Sequence, residues 1–357
     1  MVGSAHDLLY QDQQAAMERR ALKEEELLRG KKKKLKELKA PKLKIPSVKA
    51  GTGFGSQSTP QSPEERLANE QAKILNRDGV LRINSVLSPD LSDKLRSYVL
   101  EQQKIAEIET EKDLILSKAF YGVENQRKNR CDLQLSLLQG GYASDNGKKV
   151  NPDEPYVLAD ALQELLGMNG TLRPIYQNLV TSEGEFYELA SVITDPGSLR
   201  QQVHPDLPFK EIAPLYVIFL ALQDVDENMG PTTFLLKTHT KKENAIFNDY
   251  SQKDEQLSRA DSRIATLKKG DAVLFDARIL HCGNANDAEK GSNRVLFNFS
   301  FRNPKVQSNL GYAGSIRPGY CGAISLDGIH NALIAYDNGD KNPFEHYGDG
   351  LSKKKLS

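Results

Sequence analysis

The sequence is poor in cysteine, in long apolar runs and in net charge. Its three cysteines, Cys131, Cys282 and Cys321, are too few and too far apart for a disulfide framework or a cysteine-rich zinc site. The longest apolar run, residues 215–222, has the length of a buried strand and is too short to cross a bilayer. Lys and Arg total 48, as do Asp and Glu, and this balance argues against a general nucleic-acid or membrane-surface binder. We therefore expect a protein of a reducing, intracellular compartment.

The charge is distributed unevenly along the chain. The first fifty residues contain thirteen Lys or Arg against seven Asp or Glu, and a stretch rich in Pro, Gly and Ser at 41–63 is typical of a flexible linker. We predict a basic helical and flexible arm with its linker at 1–61, a folded domain at 62–350 and a disordered basic tail at 351–357. The cytoplasm is the expected location. The basic cluster at 31–44 is also compatible with a nuclear localisation signal, so a nuclear location stays an alternative.

The apolar pattern changes part-way along the domain. Before residue 185 it predicts helices, the first capped by Ser62, the second by Ser88 and a third at residues 156–166. After residue 185, short runs rich in β-branched and aromatic residues predict strands at 187–194, 216–225, 232–236, 272–280 and 295–301. No helices are predicted between these strands, which excludes a nucleotide-binding α/β sheet. The expected fold is mainly β with flanking helices: a double-stranded β-helix, or jelly-roll and cupin-like barrel, preceded by N-terminal helices.

A histidine and a carboxylate lie two residues apart at His204 and Asp206. In an extended segment both side chains leave the same face and can share one metal ion, and Pro205 restricts the segment to a strand end or a sheet edge. His281 follows the apolar run 270–276 and is the best-placed third ligand. Two imidazoles and one carboxylate on one face of an octahedral ion leave three positions free, as in non-haem Fe(II) oxygenases.

Arg294 follows His281 by thirteen residues, at the start of the last predicted strand. A strand, a polar loop and a returning strand would bring it beside the metal, inside the barrel. An arginine buried there requires an anionic partner, because an unpaired buried charge is costly. A dicarboxylate cosubstrate would supply that partner, since guanidinium holds a carboxylate through two parallel hydrogen bonds.

Together these features resemble the phytanoyl-CoA dioxygenase family of Fe(II)- and 2-oxoglutarate-dependent oxygenases. The resemblance rests on four polar residues in the family's order, His204, Asp206, His281 and Arg294. It is supported by the segment 228–234, which contains Asn-Met-Gly-Pro, by the segment 270–275, and by Asp-Gly-Val at 78–80. The resemblance covers about residues 64–305.

The resemblance implies a role for each of the four residues. His204, Asp206 and His281 would hold Fe(II), and Arg294 would pair with the distal carboxylate of 2-oxoglutarate. Molecular oxygen is then the other cosubstrate, and ascorbate is a candidate reductant. The implied reaction hydroxylates an unidentified small-molecule substrate and gives succinate and carbon dioxide as coproducts. One departure stands out, because Gly283 replaces the hydroxyl residue that several relatives have two positions after the distal histidine.

Each assignment has an alternative. His204 and Asp206 alone could form a polar turn, and His281 alone could donate to a backbone carbonyl, but the complete set favours a metal site. A zinc or manganese site of the same geometry stays open, as does a catalytically inactive jelly-roll protein that binds a small molecule or a partner. Asp206 argues against halogenation, in which a small residue replaces that ligand. We expect no nucleic acid and no membrane as a partner, and the oligomeric state is open.

Overall fold

A computed structural model of the chain describes residues 62–112, 124–127, 129–145, 150–151, 153–307, 309–310 and 322–347. The chain divides into two units, and the unit of Glu64–Gln307 with Gly314–Ser357 contains the elements below, apart from the first residue of the first helix. The other unit, Met1–Pro63 with Ser308–Ala313, lies almost wholly outside the described residues. The predicted arm with its basic cluster and the predicted tail at 351–357 also lie outside the described residues. The predicted domain boundaries therefore stay predictions.

Helices begin the described chain and recur after several strands. The first begins at Pro63, where the missing N–H removes no helical hydrogen bond, and Glu64 and Glu65 lie near its positive end. None of the helices in the described part of the chain is long and apolar enough to cross a membrane. Their bounds are α1 (Pro63–Asp78), α2 (Pro89–Lys112), α3 (Tyr142–Asp145), α4 (Val157–Leu166), α5 (Arg173–Val180), α6 (Lys241–Phe247), α7 (Lys253–Arg259) and α8 (Leu326–Asp337), with a 3₁₀ turn at Glu345–Tyr347.

The described strands form two antiparallel sheets. Their bounds are β1 (Val80–Ile83), β2 (Glu124–Arg127), β3 (Arg130–Gln134), β4 (Glu185–Thr194), β5 (Leu215–Ala221), β6 (Thr232–Leu235), β7 (Ser262–Ile264), β8 (Ala272–Asp276), β9 (His281–Gly283) and β10 (Arg294–Arg302). The larger sheet has the order β1-β8-β5-β10-β4-β3-β2, and the smaller has the order β7-β6-β9. Neighbours in the sheets are mostly distant in sequence, as in a jelly roll. The predicted fold class, mainly β with N-terminal and flanking helices, is confirmed.

The larger sheet has a core face and a site face. On β10, Val295, Phe297 and Phe299 belong to an apolar core that also contains residues of α4, α5 and α8. Because side chains alternate along a strand, Arg294 and Asn298 project from the opposite face. The helices therefore cover one face of this sheet and leave the other face for the functional site.

One expectation about the strand region was wrong. Two short helices, α6 and α7, lie between β6 and β7, where no helix was predicted. The side-chain oxygen of Thr240 accepts a hydrogen bond from the N–H of Glu243 at 3.3 Å and caps α6. No residue of α6 is buried, so the segment carries no apolar periodicity from which a helix could be predicted.

Candidate metal centre

Backbone pairing brings the two predicted histidine ligands together. His281 begins β9 and forms an isolated antiparallel bridge with His204. The N–H of His204 donates to the His281 carbonyl at 3.0 Å, and the N–H of His281 donates back to the His204 carbonyl at 2.9 Å. Three residues further on, the N–H of Leu207 donates to the carbonyl of Ala277 at 3.0 Å. The segment that carries His204 and Asp206 is thus fixed at one end to His281 of β9 and at the other to Ala277, which directly follows β8.

The three predicted ligands form one cluster. Asp206 Oδ1 lies 3.5 Å from His281 Nε2 and 3.9 Å from His204 Nε2. One ligand atom from each side chain lies within 4.8 Å of the other two. Adjacent ligands of an octahedral ion, at roughly 2.1 Å from the metal, lie about 3 Å apart. Small side-chain movements would therefore bring this cluster onto one ion.

The backbone sets the tautomer of both imidazoles. His204 Nδ1 lies 2.8 Å from the carbonyl oxygen of Gln202, and His281 Nδ1 lies 3.1 Å from that of Ile279. A carbonyl oxygen can only accept, so each Nδ1 carries the proton and donates it. Each Nε2 then carries the lone pair through which an imidazole binds a metal, and both Nε2 atoms lie near Asp206 Oδ1.

The cluster is closed on one side and open on the other. The Phe234 ring stacks on the His281 imidazole at a centroid distance of 5.7 Å, and Phe275 lies 5.2 Å away. His281 is only 4% exposed, whereas the side chains of His204 and Asp206 are 37% and 31% exposed. A ligand could therefore approach from the side of His204 and Asp206, while the aromatic side excludes water.

Arg294 is a buried cation without a carboxylate partner in the described part of the chain. It is 2% exposed, it donates from Nη1 to the carbonyl of Gly230, and its Nε has no hydrogen-bond partner. Burial, and then the charge of Arg130, lower the pKa of Arg294 from its ordinary value of 12.5 to about 10, and the charge of Asp132 opposes this shift. The guanidinium remains charged near neutral pH and suits an anionic ligand.

Sequence reasoning missed a second arginine at this site. Arg130 pairs with Thr194 of β4, and Thr194 pairs with Arg294 of β10, so the three residues form one row across the larger sheet. The guanidinium of Arg130 donates from Nε and Nη2 to Asp132 at 3.1 and 2.9 Å. Thr194 Oγ1 is buried without a partner. The row of the larger sheet that contains Arg294 thus carries several hydrogen-bond donors.

The model of a known protein family matches the part of the chain that contains these residues. The model of the phytanoyl-CoA dioxygenase family matches residues 75–294, which is more than half of the chain. The chain belongs to the phytanoyl-CoA dioxygenase family. It is a non-haem enzyme that depends on iron and 2-oxoglutarate, with dioxygen as the second cosubstrate, and the predicted enzyme class and cofactors are confirmed. A search of curated proteins found no match.

Solved structures similar to this member of the phytanoyl-CoA dioxygenase family share little sequence with it. The non-haem α-ketoglutarate-dependent carbocyclase SnoK from nogalamycin biosynthesis is 17% identical, with a TM-score of 0.45, over 69% of this chain and 87% of that one. HygX from Streptomyces hygroscopicus, solved with nickel and 2-oxoglutarate bound, is 13% identical, with a TM-score of 0.43, over 70% and 95%. A Pseudomonas putida prolyl-4-hydroxylase is 14% identical, with a TM-score of 0.41, over 66% and 98%.

The Asn-Met-Gly-Pro segment of this phytanoyl-CoA dioxygenase family member supports Arg294 from the other sheet. Gly230 has a φ of 68°, and a Cβ there would lie 2.5 Å from the backbone oxygen of Asn284. Only glycine avoids both the left-handed backbone penalty and this contact. The Gly230 carbonyl can then accept the hydrogen bond from Arg294.

Two neighbouring residues that could have joined the site do not. His239 is buried, and its Nε2 lies 3.1 Å from the carbonyl of Asn76 at the end of α1, so it is not part of the cluster. Cys282 follows His281, but alternation along β9 points it to the other face, where Arg200 Nη2 lies 3.7 Å from its Sγ. The metal cluster of this family member therefore contains only the three residues predicted as ligands, within the described part of the chain.

Proposed function

We propose that this protein hydroxylates a small-molecule substrate, with His204, Asp206 and His281 as the ligands of Fe(II) and Arg294 as the residue that binds the distal carboxylate of 2-oxoglutarate. Succinate and carbon dioxide are the coproducts. The observation that carries this proposal is that the described residues contain both the three-ligand cluster and a buried arginine with no carboxylate partner among them.

The donor set suits ferrous iron better than a structural zinc ion. Two neutral imidazoles and one carboxylate are ligands of intermediate hardness, and no cysteine joins the cluster within the described residues. A structural zinc site would have four protein ligands, whereas this cluster offers three and leaves coordination positions for other molecules. Open positions are what an enzyme that binds both a keto acid and dioxygen requires.

Arg294 suits a dicarboxylate for an electrostatic reason. A guanidinium at 2% exposure lies in a low-dielectric environment, where its attraction to a carboxylate is much stronger than in water. The unpartnered Nε together with a terminal nitrogen can form two parallel hydrogen bonds to one carboxylate. The other end of a short dicarboxylate would then point towards the histidine cluster.

The protein's own residues would hold the metal, orient its ligands and shield the site from water. Bound iron would supply the redox chemistry that couples decarboxylation of the keto acid to oxidation of a C–H bond. The carbonyls of Gln202 and Ile279 keep both imidazoles in the metal-binding tautomer. Phe234 and Phe275 exclude water from the His281 side, so the substrate approaches from the side of Asp206.

The test follows both oxygen atoms of labelled dioxygen. The iron-loaded protein, 2-oxoglutarate and ascorbate are incubated under ¹⁸O₂ with a panel of acyl thioesters, amino acids and other small metabolites, and the products are analysed by mass spectrometry. Hydroxylation places one labelled atom in succinate and the other in the product. We expect Asp206→Asn to abolish both signals, and Asp254→Asn, the same change at an exposed position of α7, to preserve them.

Two other outcomes would change the proposed reaction or the proposed site. Labelled succinate with an unlabelled but altered substrate would indicate an oxidation other than hydroxylation. Failure of the protein to bind iron and 2-oxoglutarate would contradict the site assignment and favour a barrel that binds a ligand without turnover.

A further inference from the structure

The connection between β8 and β9, residues 277–280, leads directly into the metal ligand candidate His281. The carbonyl of its first residue, Ala277, accepts a hydrogen bond from the N–H of Leu207 at 3.0 Å, so the connection also holds the chain next to Asp206. One short connection is therefore adjacent to two of the three side chains in the cluster.

Arg278 is a buried arginine in this connection, and a carboxylate holds its guanidinium. It is 8% exposed, and its partner Asp276, which ends β8, is 3% exposed. Arg278 Nε lies 2.9 Å from Asp276 Oδ1, Nη2 lies 2.5 Å from Oδ2, and the backbone N–H of Arg278 donates to Oδ1 at 2.9 Å. Because the ion pair is bidentate, the plane of the guanidinium is fixed.

The remaining nitrogen of Arg278 binds the chain that follows Asp206. Its Nη1 donates to the carbonyl of Lys210, and its Cζ lies 5.5 Å from the centroid of the Phe209 ring. Residues 208–214 form neither helix nor strand, so no ladder of backbone hydrogen bonds holds them. Arg278 therefore fixes an irregular segment that begins two residues after a metal ligand candidate.

The Asp206 carboxylate depends on its backbone for its position. Among the described residues, only the two imidazoles of the cluster lie near enough to pair with it. Its side chain is 31% exposed, so neighbouring side chains confine it only in part. A site binds a metal ion tightly only where the groups around it hold its ligands in place. A shift of the chain at 207–210 would therefore move this carboxylate away from the imidazoles.

We propose that Arg278 is a positioning residue for the metal ligand Asp206, which it holds through the segment 207–210. This inference rests on the proposed function, in which Asp206 binds the iron. The buried ion pair of Arg278 with Asp276 then has a functional reason, because apolar residues in place of a buried ion pair are often equally stable or more so.

A purely structural role for Arg278 makes a different prediction. Its loss would then lower the stability of the metal-free protein and leave the metal affinity of the folded protein unchanged. Arg278→Lys tests this, because it keeps a cation beside Asp276 and loses the fork that reaches both the carboxylate and the Lys210 carbonyl. Arg82→Lys is the matched control, since Arg82 also joins a buried aspartate, Asp271, to a backbone carbonyl, outside the cluster.

The experiment measures the Ni(II) dissociation constant of each full-length variant by calorimetry. Nickel binds a given set of nitrogen and oxygen donors more tightly than Fe(II), so a weakened site stays measurable. We expect Arg278→Lys to raise this constant about 10-fold and Arg82→Lys to leave it unchanged. In an Asp206→Ala background, where the carboxylate to be positioned is missing, Arg278→Lys should change the constant less than about 2-fold.

A second variant covers the case in which Arg278→Lys does not fold. Asp276→Asn combined with Arg278→Gln removes both buried charges together, so neither is left unpaired. This double variant should also raise the Ni(II) dissociation constant about 10-fold, since it too loses the guanidinium fork. Urea denaturation of the metal-free protein shows which variants are folded.

The outcomes separate this inference from the proposed function. Ni(II) binding by the wild type that neither Arg278→Lys nor the double variant weakens would overturn the inference and leave the proposed function standing. An equal loss of affinity in Arg82→Lys, or an equal loss with and without the Asp206 carboxylate, would show that the effect does not act through Asp206 and would also overturn it. A folded wild type that binds no Ni(II) would overturn both.

Discussion

At Arg294 a full positive charge is buried, and a backbone carbonyl is its only hydrogen-bond partner among the described residues. Burial, and then the charge of Arg130, hold its pKa at about 10, below the 12.5 of a free arginine. Because the folded-state pKa is the lower one, the charged form costs stability at every pH below about 10, and the cost declines as the pH rises above that value. Arg294 thus lowers the stability of the ligand-free protein, as expected of a residue that is retained for function.

Replacing Arg294 with an apolar residue of similar length should therefore stabilise the ligand-free protein. We expect Arg294→Met to raise the free energy of unfolding near neutral pH by about 1 kcal/mol, measured by urea denaturation without metal or cosubstrate. In the presence of iron, a given concentration of 2-oxoglutarate should stabilise the wild type more than the variant. Arg82→Met should have the opposite sign, because it removes the cation 2.7 Å from buried Asp271. A less stable Arg294→Met would contradict this account.

Gly230 gives a second prediction at the level of one residue. Gly230→Ala combines a left-handed backbone, at φ 68°, with a backbone contact at 2.5 Å, so we expect it to lower the free energy of unfolding by more than about 2 kcal/mol. Gly339 has a φ of 96° and no atom within 4 Å of a built Cβ, so Gly339→Ala tests the backbone term alone, about 1 kcal/mol. Equal losses in the two variants would show that the close contact at Gly230 is unimportant.

At the level of secondary-structure elements, the sequence predicted the strands and helices that bury apolar surface. The strand β10 is a run of aromatic and aliphatic residues, and the sequence predicted a strand there at 295–301. The sequence did not predict β3, because Arg130, Asp132 and Gln134 alternate with only two apolar residues. That alternation has the period of a strand and could have signalled one with a polar site face. Helix α6 could not be predicted by apolar periodicity, since it buries nothing.

Side-chain caps on helices α6 and α8 allow a prediction at this level. The side chain of Ser325 accepts from the N–H of Gly328 at 3.0 Å and caps α8, whose Ile329 and Leu333 lie in the core. Ser325→Ala should therefore lower the global free energy of unfolding by about 1 kcal/mol. Thr240→Ala removes the cap of α6, which has no buried residue, and should change the global value by less than half as much. Equal effects on the denaturation midpoint would contradict this difference.

At the level of the whole molecule, the site joins residues that are distant in the chain. The smaller sheet and the segment beside it supply the histidines and Asp206, and the larger sheet supplies Arg294 and Arg130. The order and spacing of residue types with a specific chemistry predicted a common site for the two histidines, Asp206 and Arg294. The position of Arg130 beside Arg294 depends on strand register, which composition and spacing do not encode.

The most direct test of the central claim is an anaerobic titration of the metal-free protein with Fe(II) and then 2-oxoglutarate, followed by visible absorption. We predict an iron-to-keto-acid charge-transfer band in the wild type, its loss in His204→Ala, and a requirement for at least roughly 10-fold more 2-oxoglutarate in Arg294→Ala. Circular dichroism shows whether each variant is folded. A folded wild type that gives no band, or a band that persists unchanged in His204→Ala, would contradict the assignment of this cluster as the iron site.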